Sequence, residues 1–211
     1  QAILASIGGI PVGSWGDAAC FSLHPLKNIN VWGDAGVITT NSREFAHELK
    51  LMRNHGLASR DEVVLFGQNS RLDSLQALIA IRLMKEVHRI TDRRISNAQY
   101  FDAAFRDLAE FITIPPRPGN VVQVFHTYVI RVMLRDALLD YLNNRGVEAK
   151  VHYPVPLHLQ PAAQYLGYRS GDFPVCEAHC MNIISLPVHQ YLTQRELEYI
   201  VDHIRTFYTK L

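Results

Sequence analysis

Apolar residues change their period along this chain, and each change marks an element. Residues 18–23 and 35–40 are apolar runs of strand length. The second reads Ala35-Gly36-Val37-Ile38-Thr39-Thr40, rich in β-branched side chains, and both runs are predicted as short buried strands. Between them, residues 25–33 carry proline and glycine and are predicted as a loop. Asn41 with Glu44 three residues later fits a capping box ahead of a Phe45, Leu49, Met52 stripe, which predicts a helix start. Leu75, Leu78, Ile79, Leu83, Val87 and Ile90 then recur at helical spacing, predicting one long helix over residues 73–94.

From about Thr91 the elements are shorter and mixed, so the chain is expected to divide into domains at 1–90 and 91–211. A helix over 92–108 leads into Pro115-Pro116-Arg117-Pro118-Gly119, a stiff connection that can neither continue a helix nor sit in a central strand. A strand at 127–132, a helix at 136–144 closed by Gly146, and a strand at 147–151 follow. A helix at 173–181, an Ile183-Ile184 strand edge and a final helix at 193–208 complete an α+β unit. Thr193 and Glu196 form the capping box of that last helix, with Leu197, Ile200, Val201 and Ile204 on its apolar face. The first 90 residues hold too few strands for an autonomous parallel sheet, and the 73–94 helix needs a partner surface for its stripe. The chain is therefore expected to be part of a larger protein.

Composition narrows the function classes. The 211 residues are 48% hydrophobic, enough for a sizeable core, and 21 basic residues against 20 acidic ones give a formal charge of +1. No bulk field draws such a chain to nucleic acid or an anionic membrane. No apolar run reaches the roughly 18 residues of a membrane span. Cys20, Cys176 and Cys180 make neither a zinc ligand set nor a disulfide framework, so a reducing cytoplasm is the expected compartment and no metal is expected.

The chemistry concentrates at Lys27. Ser22 places a hydroxyl five residues ahead of it, inside a glycine-punctuated segment between two apolar runs. An apolar surround frees a lysine amine as a nucleophile toward an aldehyde, and a nearby hydroxyl suits a phosphate. A solvated surface lysine is the plain alternative.

The segment Phe21-Ser22-Leu23-His24-Pro25-Leu26-Lys27-Asn28 resembles the Ser-Phe-His-Pro-Thr-Lys-Asn type loop of the DegT/DnrJ/EryC1/StrS family, sugar aminotransferases that use pyridoxal phosphate (PLP). Leu26 stands where threonine is common there. Gly33-Asp34-Ala35-Gly36, Arg53-Asn54-His55-Gly56 and Gly67-Gln68-Asn69-Ser70-Arg71-Leu72 resemble further family motifs in the family's order. His152-Tyr153-Pro154-Val155-Pro156-Leu157-His158 resembles its C-terminal signature, followed by Phe173-Pro174 with Glu177 and Ser185-Leu186-Pro187.

That resemblance implies an α/β fold: part of the three-layer, fold type I PLP-transferase large domain in 1–90, and a small C-terminal α+β domain in 91–211. It implies that Lys27 is the catalytic lysine that binds PLP as an imine. Ser22, Gln1 and Asn69 are implied as cofactor-binding, with Asn69 reaching the phosphate of a neighbouring subunit, hence a homodimer with shared active sites. His24, His152, Tyr153, His158 and Arg71 are implied on the substrate side. Local alternatives stand beside these: a backbone hydrogen bond for Ser22, turn chemistry for Asn69, an ion pair with Asp73 for Arg71, and core packing for the histidines. The implied reaction moves an amino group from glutamate or glutamine to a keto sugar, most often nucleotide-linked. A cyclitol ketone of the inosose type is an alternative acceptor, and a catalytically silent partner subunit is an alternative role. The dehydratases of the family replace the lysine with histidine, which Lys27 argues against. Gln1 aligns at the end of the family's Asp-x-x-Gln/His segment, so the ring-nitrogen aspartate is expected in an N-terminal segment not present in this sequence.

Overall fold

The computed structural model of the protein describes residues 1–210. They fall into two units, Gln1–Asp92 with Pro118–His126, and Arg93–Arg117 with Thr127 to the end of the described chain. In the first unit, β1 (Ser6–Ile7) and β2 (Ile10–Pro11) form a hairpin across Gly8-Gly9, and β6 (Val121–Val122) adds to the other edge of β1. That pairing explains why residues 118–126, expected in the second domain, lie with the first. Asn28 strengthens the tie by donating its side-chain amide to Val124 O at 2.9 Å.

β3 (Ala18–Ser22) and β4 (Gly36–Thr40) pair antiparallel, from Ala18 opposite Thr40 to Ser22 opposite Gly36. The expectation of buried strands is corrected here: β3 is largely half-buried and four of the five β4 residues are exposed, because no third strand joins them among the described residues. The core lies instead under the loop between them. Leu23, Ile29 and Val31 pack with Ala80, Val87 and Ile90, and Ile29 and Val31 have no exposed surface. Side chains of that size stabilise by roughly 1.5–3 kcal/mol each when buried.

Helix α1 (Arg43–Met52) is capped by Ser42, whose hydroxyl accepts from Phe45 N at 3.1 Å, not by Asn41. The predicted 73–94 helix is two helices, α2 (Ser74–Met84) and α3 (Val87–Ala104), with Arg82 and Arg89 both pairing with Glu86 at the break. α2 is apolar around most of its circumference. Ile79, Ala80 and Leu83 face the core while Leu75, Leu78, Ile81 and Met84 are exposed.

In the second unit, β5 (Ile112–Thr113), β7 (Tyr128–Val132) and β8 (Ile183–Leu186) form an antiparallel sheet in the order β5-β7-β8. Helices α4 (Arg135–Asn143), α5 (Pro174–Asn182) and α6 (Gln194–Thr209) complete it. The Thr193 and Glu196 capping box is present, and Leu197, Ile200, Val201 and Ile204 are buried. The strand expected at 147–151 is reduced to a single bridge between Lys150 and Ser185, because Val147 and Ala149 spend their N–H groups on Leu142 O and Val147 O. Short 3-10 turns at Leu157–Leu159 and Pro161–Leu166 lead into α5. No helix among the described residues is long and apolar enough to cross a membrane.

Candidate functional site

Ser22 ends β3, and the chain then turns tightly. His24 N–H donates to Ser22 Oγ at 3.3 Å, Leu26 N–H to His24 Nδ1 at 3.2 Å, and Lys27 N–H to His24 O at 2.8 Å. Asn30 closes the turn from the far side by donating its amide to Pro25 O at 2.9 Å. Beyond it, Gln76 of α2 pairs with the backbone of Trp32 twice, accepting from its N–H at 2.7 Å and donating to its O at 3.2 Å. The turn is therefore anchored by Leu23 before Lys27 and by Asn28, Ile29 and Val31 after it, all buried. A lysine between such anchors has a fixed Cα and a side chain left to move.

Lys27 is half-buried, and no hydrogen bond or ion pair of its amine occurs among the described residues. Gln1 lies within electrostatic reach: partial burial first, and the Lys27 charge second, lower the pKa of its amino terminus. The structure thus brings Gln1, Ser22, His24 and Lys27 into one neighbourhood. PLP needs a primary amine for its aldehyde and donors for its phosphate. The Ser22 hydroxyl, which accepts from His24 N–H, keeps its own O–H available to donate. The residues present fit the group.

Asn69 and Arg71 sit on a separate strap. Residues 53–57 and 63–70 cross closely at the end of α1: Gln68 N–H donates to Met52 O at 2.8 Å, His55 N–H to Gln68 O at 3.0 Å, and Ser70 N–H to Arg53 O at 2.9 Å. Two glycines make the crossing possible. A Cβ on Gly56 would lie 1.7 Å from Leu65 O, and one on Gly67 would lie 2.6 Å from Met52 O. The strap presents Asn69, whose Oδ1 accepts from Arg71 Nε at 3.1 Å, so Arg71 braces Asn69 in place of the ion pair with Asp73. Val63, Val64 and Phe66 of the same strap are exposed.

The second unit contributes a cavity of ≈ 1040 Å³, at the large end of small-molecule sites, with mostly hydrocarbon walls. His152 and Tyr153 line it. His152 Nδ1 bonds Ser185 Oγ at 2.9 Å and Tyr153 is largely exposed. His158 is not on the wall. Its side chain, only 8% exposed, turns inward to Glu177 with Nε2 to Oε1 at 3.0 Å. Glu177 also accepts from Ser170 Oγ and from the backbone N–H groups of Gly171 and Phe173. These bonds, Gly171 N–H foremost, hold its carboxyl below the usual carboxylate range. The sequence had placed Glu177 in a motif without a role, and only the contacts supply one. Cys176 and Cys180 lie one turn apart on α5, the first exposed and the second buried, where burial pushes its thiol pKa up. Among the described residues no cluster of three or more His, Cys, Asp or Glu side chains forms a metal site.

The profile of the DegT/DnrJ/EryC1/StrS aminotransferase family matches residues 1–205. The chain is 35% identical over 209 residues to the pleiotropic regulatory protein of Geobacillus stearothermophilus, covering 99% of this chain and 56% of that protein. It is 35% identical to the dTDP-3-amino-3,6-dideoxy-alpha-D-galactopyranose transaminase of Aneurinibacillus thermoaerophilus, covering 98% of this chain and 56% of the other. The crystal structure of S. venezuelae DesV in complex with a ketimine intermediate superposes with a TM-score of 0.92 at 30% identity, over 96% of this chain and 54% of that one. The chain spans about half the length of the relatives it matches.

Proposed function

The chain belongs to the DegT/DnrJ/EryC1/StrS aminotransferase family, and from that premise we propose that the protein carrying it transfers an amino group from glutamate or glutamine to a keto sugar, with PLP as cofactor. The observation that carries the proposal is the anchored turn at Lys27, with a half-buried amine free of hydrogen bonds and a hydroxyl donor five residues ahead. Lysine is the side chain suited to both tasks here, attack on an aldehyde and, once released, removal of a proton from the donor's α-carbon. Bound PLP supplies the electron sink that makes that proton removable. Ser22 Oγ would donate to its phosphate, and Gln1 would hold the cofactor from the neighbourhood it shares with Lys27. His24 bounds the same neighbourhood.

Sugar acceptors fit the relatives, whose names include dTDP- and UDP-sugar aminotransferases. We assign the cavity of the second unit, edged by His152 and Tyr153, to sugar binding: its hydrocarbon walls suit ring faces and the histidine suits a hydroxyl or phosphate. We assign the contact to the pyridine nitrogen to polypeptide beyond this chain. The exposed Leu75, Leu78, Ile81 and Met84 face of α2 supports such a covering segment.

We assign Asn69, on its strap beside exposed Val63, Val64 and Phe66, to the phosphate of a second copy. Mixing inactive Lys27→Ala subunits with inactive Asn69→Trp subunits then restores one intact site per mixed dimer. Confirmed mixed dimers with no recovered activity contradict the sharing. The function itself is tested by supplying the whole protein with PLP, glutamate and a panel of nucleotide-linked keto sugars and cyclitol ketones. Glutamate-dependent amination of a nucleotide sugar is expected; conversion of cyclitol ketones alone overturns the acceptor, and no amination at all overturns the reaction.

A further inference from the structure

Three segments make the wall of the second unit's cavity, and one carboxylate joins all three. The first runs from His152 through the 3-10 turn at Leu157 to its cap Gln160, the second is the following loop with Asp172 and Phe173, and the third is α5 with Cys176. Glu177 stands behind this wall at the first turn of α5. Its Oε1 meets His158 Nε2 of the turn at 3.0 Å and Gly171 N–H of the loop at 2.9 Å. Its Oε2 meets Ser170 Oγ and Gly171 N–H, both at 3.0 Å, and Phe173 N–H reaches Oε1 at 3.3 Å. The Phe173 ring, part of the wall, is wedged between His158 and Tyr168 with ring centroids 4.7 and 5.1 Å away.

We propose that Glu177 and His158 form a latch that positions the cavity wall and thereby sets affinity for the sugar acceptor, without touching it. Neither side chain lines the cavity, yet both are bonded to backbone or side chains one or two residues from those that do. Charge-assisted bonds to a carboxylate with several fixed donors are the stronger kind, and donors from two loops converge on this one. Losing the carboxylate frees Gly171 and Phe173 N–H together with the His158 ring, so the turn and the loop separate from α5 at once. Wall displacement of this sort weakens binding at the cavity.

The effect on substrate rests on the aminotransferase reading, whereas the effect on the wall does not, so the experiment has two arms. In the whole protein, Glu177→Ala is expected to speed amide hydrogen exchange in residues 157–160 and 170–173 about tenfold or more, with β7 unchanged. KM for the sugar acceptor is expected to rise about tenfold while kcat and the KM for glutamate stay within about twofold. His158→Gln, which keeps a donor near Nε2, and Glu177→Gln, which keeps an acceptor, fall between wild type and Glu177→Ala; they carry the test if Glu177→Ala fails to fold. Unchanged exchange in either segment overturns the latch. Faster exchange with an unchanged acceptor KM, or a fall in kcat alone, overturns its role in affinity. A wild-type protein without aminotransferase activity removes the function reading but leaves the exchange result to decide whether the latch exists.

Discussion

Around Lys27 the ties are neutral: the side-chain amides of Asn28, Asn30 and Gln76 hold backbone groups, and buried Leu23, Ile29 and Val31 do the rest. Around the cavity of the second unit the tie is a carboxylate, Glu177, gathering two loops and a histidine. The difference follows from what each region presents. The nucleophile we propose needs an unengaged amine, and the side-chain amides near Lys27 bond backbone groups while the lysine stays outside those ties. The binding wall we propose has to keep its shape, and the polar residues behind it bond one another.

The largest expected separation between the two regions is functional. Lys27→Ala removes nucleophile and base together and is expected to lower turnover at least about 10³-fold with little change in stability, checked by steady-state kinetics alongside urea unfolding. Retained turnover breaks the assignment. Ile29→Ala tests the anchor instead of the chemistry. Emptying a site with no exposed surface is expected to cost about 2–5 kcal/mol, read from the unfolding midpoint. A cost well under about 1 kcal/mol means that the loop is not held by its core residues.

The smallest expected effect is in pH. Glu177 has a lowered pKa when folded, so its contribution is full above the unfolded glutamate value of about 4.3 and is lost as pH falls through it toward the folded value. Amide exchange at Gly171 and Phe173, corrected for intrinsic rates, is expected to lose protection as pH is lowered from about 5 to about 3. The amide ties of the lysine loop do not titrate there, so Val31, whose N–H donates to Leu23 O, keeps its protection. Equal loss in both regions removes the contrast.

Local signals in the sequence carried part of this. Thr193 and Glu196 stand at capping-box spacing before an unbroken apolar stripe, and the box forms. At α1 the adjacent Asn41 and Ser42 are both capping residues, and only the Phe45 N–H bond decides for Ser42. The break between α2 and α3 is invisible because the apolar period runs straight through Lys85 and Glu86 without glycine or proline. The Ile7-Gly8-Gly9-Ile10 stretch carries the hairpin signal of a two-residue glycine turn between apolar residues, and the hairpin forms. Residues 118–126 return to the first unit through a bond spanning 96 positions, Asn28 to Val124, which no local pattern encodes. At the sites, Lys27 and Ser22 stood out through the family resemblance of their loop, since a hydroxyl five residues ahead of a lysine is a weak signal by itself. His158 was legible as a motif residue but its direction was not, since only its partner Glu177 shows that it faces inward.

The central claim is that Lys27 is the residue that binds PLP. The most direct measurement is borohydride reduction of the whole PLP-loaded protein followed by peptide mass mapping. The account predicts a pyridoxyl mass on the peptide containing Lys27 and its loss in Lys27→Ala. A pyridoxyl group carried instead by Lys50, Lys85 or Lys150, or one that persists in Lys27→Ala, would contradict it.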